Sequence, residues 1–84
     1  MSFGAKLARY RTRAGVTQHT LAERIGIHVQ SVSDLERGKF KPGIETLAGI
    51  RNALNLSQEE TNDLLDDISE ELKQSARLRL ADMP

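Results

Sequence analysis

The 84-residue chain is predicted to fold as one small all-α domain. Apolar residues recur at spacings of three and four along most of the sequence, which is the pattern of amphipathic helices. Valine and isoleucine are sparse and never alternate with polar residues over the length of a strand. The sequence has no cysteine, one tyrosine, two phenylalanines and no tryptophan, so a mostly aliphatic core must hold the fold without disulfides.

Helices 1 and 2 are predicted over residues 2–14 and 18–25. Gly15 stands where a left-handed C-terminal cap would end the first helix, and Thr17 is a favourable N-cap for the second. Gly26 ends the second helix after about two turns. The first two helices are therefore short and closely spaced.

Helix 3 is predicted over residues 29–37 and helix 4 over residues 44–54, joined by the loop GKFKPG. The proline and glycines of this loop oppose helix formation. Ser57 and Glu60 match a capping box, in which each residue satisfies a backbone N–H group of the other. This pattern predicts the start of helix 5.

Beyond the start of helix 5 the apolar stripe continues through Leu64, Leu65, Ile68 and Leu72. A five-helix core does not need that much additional apolar surface. Either helix 5 is unusually long, or a sixth element packs back onto the domain or onto a second chain. We therefore divide the chain into a five-helix domain, residues 1–66, and a helical C-terminal extension, residues 67–84, which is a candidate dimerisation element.

Charge is distributed unevenly, although the formal net charge is zero. Residues 1–43 contain eight Lys and Arg against three Asp and Glu, whereas residues 44–84 contain four against nine. The first half is thus suited to a polyanion such as nucleic acid. The alternative is that both halves are ordinary solvated faces.

Membrane and enzyme functions are disfavoured. No stretch approaches the roughly 18 apolar residues of a membrane span, and no signal pattern opens the chain, so a cytoplasmic protein is expected. His19 and His28 are the only histidines, and no nucleophile or third ligand stands in a motif around them. The acidic run NDLLDDISEE lacks the glycine and alternating oxygen ligands of a calcium loop. We predict no catalytic residue, metal or cofactor.

The stretch TLAERIGIHVQSVSDLERG, residues 20–38, predicts a helix-turn-helix. Its apolar spacing is interrupted at Gly26 and resumes out of register at Val32. A turn there would set the two helices at a steep angle, with Ala22 small enough for the crossing and Gly26 free to adopt a positive φ. Ile27 would fill the turn. A helix corner that binds no ligand is the alternative.

Three segments around this motif, TQHTLAERIG, VSDLERGKFKP and IETLAGIRNALNLS, closely resemble the lambda-repressor-like, or Cro/C1-type, helix-turn-helix family. The resemblance covers about residues 3–66. It implies five helices, with a recognition helix of about residues 29–37 in the DNA major groove. It also implies binding as a symmetric dimer to palindromic operators.

The face of helix 3 that points away from its apolar residues is the candidate for base recognition. Its members, at spacings that trace one side of a helix, are Val29, Gln30, Ser33 and Asp34. Gln30 suits adenine through two hydrogen bonds, Val29 suits a thymine methyl group, and Asp34 suits the cytosine amino group. The alternatives are plain solvent exposure for Gln30 and a salt bridge within the helix for Asp34.

The residues predicted to contact phosphate are Gln18, His28, Arg37, Lys39, Lys41 and Arg13, with Arg9 and Lys6 as further candidates. The resemblance implies that Gln18 contacts phosphate at the start of helix 2, where the helix dipole favours an anion. His28 stands where relatives usually place a Ser or Thr cap. It would donate to phosphate when protonated, or serve as a neutral cap. A solvated basic loop is the alternative for the cations after helix 3.

The resemblance also implies an ion pair between Arg11 and Glu36, which would hold the recognition helix against helix 1 rather than touch DNA. Dimerisation is expected through apolar residues of the C-terminal region, namely Leu65, Ile68 and Leu72.

These features predict a non-enzymatic transcription regulator, a repressor that binds double-stranded operator DNA as a homodimer. The rival class is an interaction protein. An antitoxin, or a controller protein of a restriction–modification system, uses the same module and would dock a protein partner through the acidic C-terminal half. Specific DNA binding should weaken steeply with salt, whereas a pure protein-docking module should bind no duplex above background.

Overall fold

The computed structural model describes residues 2–68 and 70–81, and their only regular secondary structure is helical. The helices are α1 Phe3–Arg13, α2 Gln18–Ile25, α3 Val29–Glu36, α4 Ile44–Ala53, α5 Gln58–Leu65 and α6 Glu70–Ala81. The predicted all-α architecture is confirmed. None of the helices in the described residues is long and apolar enough to cross a membrane.

Side-chain caps determine where several helices begin. Thr17 Oγ1 accepts from the backbone N–H of Thr20 at 3.0 Å, so α2 begins at the predicted residue. Ser57 Oγ accepts from Glu60 N–H at 3.1 Å, and Glu60 Oε1 accepts from Ser57 N–H at 2.9 Å. The predicted capping box of α5 is confirmed. Ser2 is the N-cap of α1, so that helix begins one residue later than predicted.

The turn between α2 and α3 follows the predicted break at Gly26. Gly26 has φ +86°, a left-handed conformation that a side chain would strain. The backbone N–H groups of Gly26 and Ile27 both donate to the carbonyl oxygen of Ala22, at 2.8 and 3.0 Å. Ala22 is buried, so a larger residue would separate the helices there. The chain therefore forms two helices at this point and not one continuous rod.

The core lies between the helices and fixes the position of α3. This helix packs against α1 and α2, and α2 packs in turn against α4. Val32 and Leu35 are fully enclosed in this core. Burial of these two side chains on one side of α3 leaves the other side of the helix facing outward.

Gly4 has a packing role that the sequence did not predict. A Cβ at this position would collide with the carbonyl oxygen of Glu36 and would lie 2.6 Å from that of Leu35. The backbone of α1 therefore crosses directly over the C-terminal end of α3. Only glycine permits this approach, because any side chain would push the two helices apart.

The C-terminal region forms a separate helix, α6, which packs against α4. Ala76 of α6 is completely buried, so the extension completes the core. Leu65 is also fully buried, and Ile68 and Leu72 pack against the same core. The prediction that Leu65 contacts a second copy is therefore wrong, because its side chain is enclosed within its own chain. Periodicity identified it as apolar but could not say which surface would cover it.

Candidate nucleic-acid interface

The outward side of α3 presents the four predicted base-reading residues together. Val29, with 42% of its surface accessible, and Gln30 are exposed at the start of the helix. Ser33 and Asp34 are half-buried one turn later on the same side. These residues offer an apolar group, an amide, a hydroxyl and a carboxylate, which are the groups that distinguish bases in the major groove. We call these four residues the reading face.

One hydrogen bond and one ion pair meet at Asp34 on the reading face. Gln30 Nε2 donates to Asp34 Oδ1 at 3.0 Å. Arg37 Nη2 lies 3.6 Å from the same Asp34 oxygen. Asp34 is therefore linked to one residue on each side of it along α3.

A second network holds α3 against the helices behind it. Arg11 Nε and Nη2 donate to the two carboxylate oxygens of Glu36, at 2.6 and 3.1 Å. The Arg11 side chain is 17% exposed and that of Glu36 is 8% exposed. Arg11 Nη1 also donates to the carbonyl oxygen of Val16 at 2.9 Å. The structure therefore contains the Arg11–Glu36 pair, and the charges are largely shielded from water.

Gln18 belongs to this network as well. Its Nε2 donates to Glu36 Oε1 at 2.9 Å, so the start of α2 is tied to the end of α3. The sequence predicted a phosphate contact for Gln18 and did not predict this bond. The amide nitrogen has a second hydrogen, so the two contacts do not exclude each other.

The cations that follow α3 are available to a ligand. Arg37, Lys39 and Lys41 are all exposed. Among the described residues, no carboxylate lies within ion-pair distance of Lys39 or Lys41. His28 is exposed at the N-cap of α3, and its side chain makes no capping hydrogen bond. His28 directly precedes α3, and Arg37, Lys39 and Lys41 follow it, so donor or cationic side chains stand at both ends of the helix. We call Arg37, Lys39 and Lys41 the loop cations.

The cations of α1 are used differently. Arg13 pairs with Glu60 of α5 and lies over the Tyr10 ring, 4.8 Å from its centre. Lys6 Nζ lies 3.0 Å from Asp63 Oδ1 and 2.8 Å from Asp67 Oδ2. Both side chains were candidates for phosphate contacts, but here they join α1 to the acidic second half. We call Lys6 and Arg13 the α1 cations.

Hydrogen bonds in this α1–α5 contact shift several pKa values. The carboxylates of Asp67 and then Asp63 raise the pKa of Lys6 above its ordinary value. The hydroxyl of Tyr10, which donates to Asp63 Oδ2 at 2.6 Å, and then Lys6 lower the pKa of Asp63. Burial, followed by the bond to Asp63, raises the pKa of Tyr10. Each shift favours the protonation state in which α1 and α5 attract each other.

A sequence profile described as helix-turn-helix matches residues 7–57, which is more than half of the chain and includes α2, the turn and α3. The chain belongs to the Cro/C1-type helix-turn-helix family. A HTH-type transcriptional regulator of Sinorhizobium fredii is 39% identical over 57 residues, which cover 68% of this chain and 74% of the relative. One from Methanothermobacter thermautotrophicus is 33% identical over 61 residues, covering 73% of this chain and 88% of the relative.

A third relative in the helix-turn-helix family is the HTH-type transcriptional regulator ImmR of Bacillus subtilis. It is 37% identical over 57 residues, which cover 68% of this chain but only 45% of ImmR. The shared part is therefore the helix-turn-helix domain. Family and relatives together support DNA-binding transcription regulation as the general role of the chain.

Proposed function

We propose that this chain is a repressor that binds double-stranded operator DNA in a sequence-specific manner, with α3 in the major groove. The observation that supports this most directly is the position of the reading face. It lies on the side of α3 opposite Val32 and Leu35, with Val29 and Gln30 exposed and Ser33 and Asp34 half-buried, and the loop cations follow at the end of the helix. A role on operator DNA would also locate the chain in the cytoplasm.

The chemistry of the reading face suits base edges. The amide of Gln30 would bond adenine, and Val29 would contact a thymine methyl group. Ser33 can donate to or accept from several bases and would add little selectivity. Arg37, Lys39 and Lys41 would contact phosphates on either side and supply affinity that does not depend on sequence.

Binding as a homodimer to a palindromic site is the second part of the proposal. Two copies would place their recognition helices about 34 Å apart, one turn of B-DNA. The exposed apolar residue of α6 that suits a contact between copies is Leu78, which is 75% exposed. Ile68 and Leu72 keep partial exposure beside the core and would lie at the edge of such a contact.

Sedimentation of the full chain tests the dimer. Leu78→Glu should raise the dimer dissociation constant without lowering the free energy of unfolding of the monomer. Deletion after residue 66 is a poor test, because it removes Ala76 from the core. An unchanged dissociation constant for Leu78→Glu would place the contact elsewhere, and a wild-type chain that stays monomeric on operator DNA would exclude the homodimer.

Selection of bound sequences from a random duplex pool tests the DNA-binding proposal. The wild-type chain should enrich a palindromic site. Gln30→Ala should lower the selectivity for the preferred base at one position in each half-site by about 1–3 kcal/mol. Gln58→Ala is the matched control, since Gln58 is an exposed glutamine whose amide also bonds the residue four positions later, Asn62.

Two results would count against this assignment. If Gln30→Ala and Gln58→Ala enrich the same site as the wild type with equal selectivity, Gln30 is not a base reader. If the wild-type chain enriches no sequence and its affinity for duplex does not fall with salt, the chain is not a DNA-binding protein.

A further inference from the structure

Asp34 is the last residue of the reading face along α3, and its side chain contacts one residue before it and one after it in the sequence. Its Oδ1 atom accepts a hydrogen bond from Gln30 and lies within ion-pair distance of Arg37. The Asp34 side chain is 26% exposed and that of Arg37 is 55% exposed. Because the Asp34 carboxylate is less exposed than the side chain of Arg37, it is better placed to bind its neighbouring side chains than to reach a base.

The chemistry of the carboxylate fixes the orientation of the Gln30 amide. An ionised carboxylate can only accept hydrogen bonds, so the nitrogen of the amide must face Asp34, and the oxygen must face away from it. One N–H of Gln30 is committed to this bond. The other N–H and Oε1 remain, and they form an edge with one donor and one acceptor.

That edge matches adenine and opposes guanine. In the major groove adenine presents N7 as an acceptor and the N6 amino group as a donor. Guanine presents two acceptors, N7 and O6, so Gln30 Oε1 would face an acceptor without a proton between them. A Gln30 side chain free of Asp34 could rotate and offer both N–H groups to guanine.

We propose that Asp34 is a positioning residue that restricts Gln30 to adenine, and that it does not itself read a base. This inference rests on the proposed function. Asp34 acts through the hydrogen bond to Gln30 and determines which purine the half-site accepts. This positioning role takes the place of the predicted contact between Asp34 and the cytosine amino group.

Arg37 explains how an acidic residue is tolerated on a surface that faces DNA. A carboxylate near phosphates repels them, and this repulsion lowers affinity for every sequence. The Arg37 guanidinium, 3.6 Å away, offsets part of the negative charge of Asp34, while Asp34 still accepts the hydrogen bond from Gln30. Removal of Asp34 should therefore give tighter but less selective binding, and the selectivity should be lost at the base pair that Gln30 contacts rather than at a separate cytosine.

The test compares Asp34→Ala, Gln30→Ala and the double variant on duplexes that differ only in the purine opposite Gln30. Asp34→Ala should lower the preference for adenine over guanine by about fivefold or more, at the same base pair that Gln30→Ala relaxes. When Gln30 is already alanine, adding Asp34→Ala should not change the preference for adenine over guanine any further. Affinity for random duplex should rise in both Asp34→Ala proteins.

Two further variants separate the hydrogen bond from the charge. Glu23→Ala removes an exposed acid from α2 and should leave the adenine preference unchanged. Asp34→Asn loses the charge but keeps an oxygen that can accept from Gln30, so it should retain more of the preference than Asp34→Ala. Circular dichroism of each variant checks that the total helix content of the chain is unchanged.

Three outcomes would overturn the inference. An unchanged adenine preference in folded Asp34→Ala would mean that the Gln30–Asp34 bond only stabilises the helix, as such pairs do in isolated helices. Loss of a cytosine preference at a different base pair, in both backgrounds, would mean that Asp34 reads a base directly. Failure of the wild type to select any sequence would remove the proposed function as well, whereas the first two outcomes leave it intact.

Discussion

The α1 cations and the loop cations come from the same basic half of the sequence, but the fold uses them in opposite ways. Lys6 and Arg13 are paired with carboxylates near or within α5. Lys39 and Lys41 have no carboxylate partner among the described residues and lie in the loop that follows α3. A cation-rich sequence therefore does not define a DNA-binding surface. Pairing within the fold separates Lys6 and Arg13 from Lys39 and Lys41, although all four lie in the basic half of the sequence.

The Arg11–Glu36 pair joins α1 to α3, and breaking it should give the largest loss in the free energy of unfolding. Glu36→Ala leaves the partly buried Arg11 guanidinium without its partner and also removes an acceptor of Gln18. We expect a loss of about 3 kcal/mol in the free energy of unfolding, measured with urea. Arg13→Ala, which breaks an exposed pair, should cost far less. Equal costs would mean that the shielding of the Arg11–Glu36 pair from water is energetically unimportant.

The difference between the two cation groups should appear next in the salt dependence of DNA binding. Replacing both Lys39 and Lys41 with alanine should reduce the slope of log affinity against log salt by about 1.8, corresponding to two lost phosphate contacts. Replacing both Lys6 and Arg13 with alanine should leave the slope unchanged and lower stability instead. The same change of slope in both double variants would show that the α1 cations also contact DNA.

Acid titration of the α1–α5 contact should reveal the smallest effect. Because the pKa of Asp63 is lower in the folded chain than its ordinary value, this group stabilises the fold above that value. The contribution is lost as the pH falls through the lowered pKa. Thermal unfolding between pH 7 and about pH 2 should therefore show a smaller acid loss for Asp63→Asn than for the wild type. Identical acid profiles would show that Asp63 contributes nothing through its ionisation.

The opposite sign applies to Lys6, whose pKa is raised. Its contribution is complete below its ordinary pKa and is lost as the pH rises through the raised value. Lys6→Met should therefore flatten the alkaline side of the stability profile measured by thermal unfolding, and it should also weaken the acid effect of Asp63, whose pKa Lys6 helps to lower.

Local sequence patterns were sufficient for the helix-turn-helix and for most helix boundaries. Thr17, Gly26 and the Ser57–Glu60 box act on residues within one turn of the chain, so their effects can be recognised without knowledge of the tertiary fold. The outward face of α3 follows from the spacing of Val32 and Leu35 in the same way.

Contacts between distant segments could not be predicted in that way. Gly4 must lack a side chain because the backbone of α3, some thirty residues later, passes directly against it. The residues that neighbour Gly4 in the sequence do not indicate this close contact. The pairing of Arg13 with Glu60 likewise depends on how α1 meets α5. One signal was present, since opposite charges concentrated in the two halves of a chain indicate that the halves attract each other. The charge distribution did not indicate which cations would form ion pairs with the acidic half.

The most direct test of the account is a nuclear magnetic resonance titration of the isotope-labelled chain with its selected duplex. We predict that the largest shift changes fall on residues 28–41, which include the reading face and the loop cations, and that Lys6 and Arg13 change little. Largest changes on α1, α5 or α6, with residues 28–41 unaffected, would contradict the assignment of α3 as the surface that meets DNA.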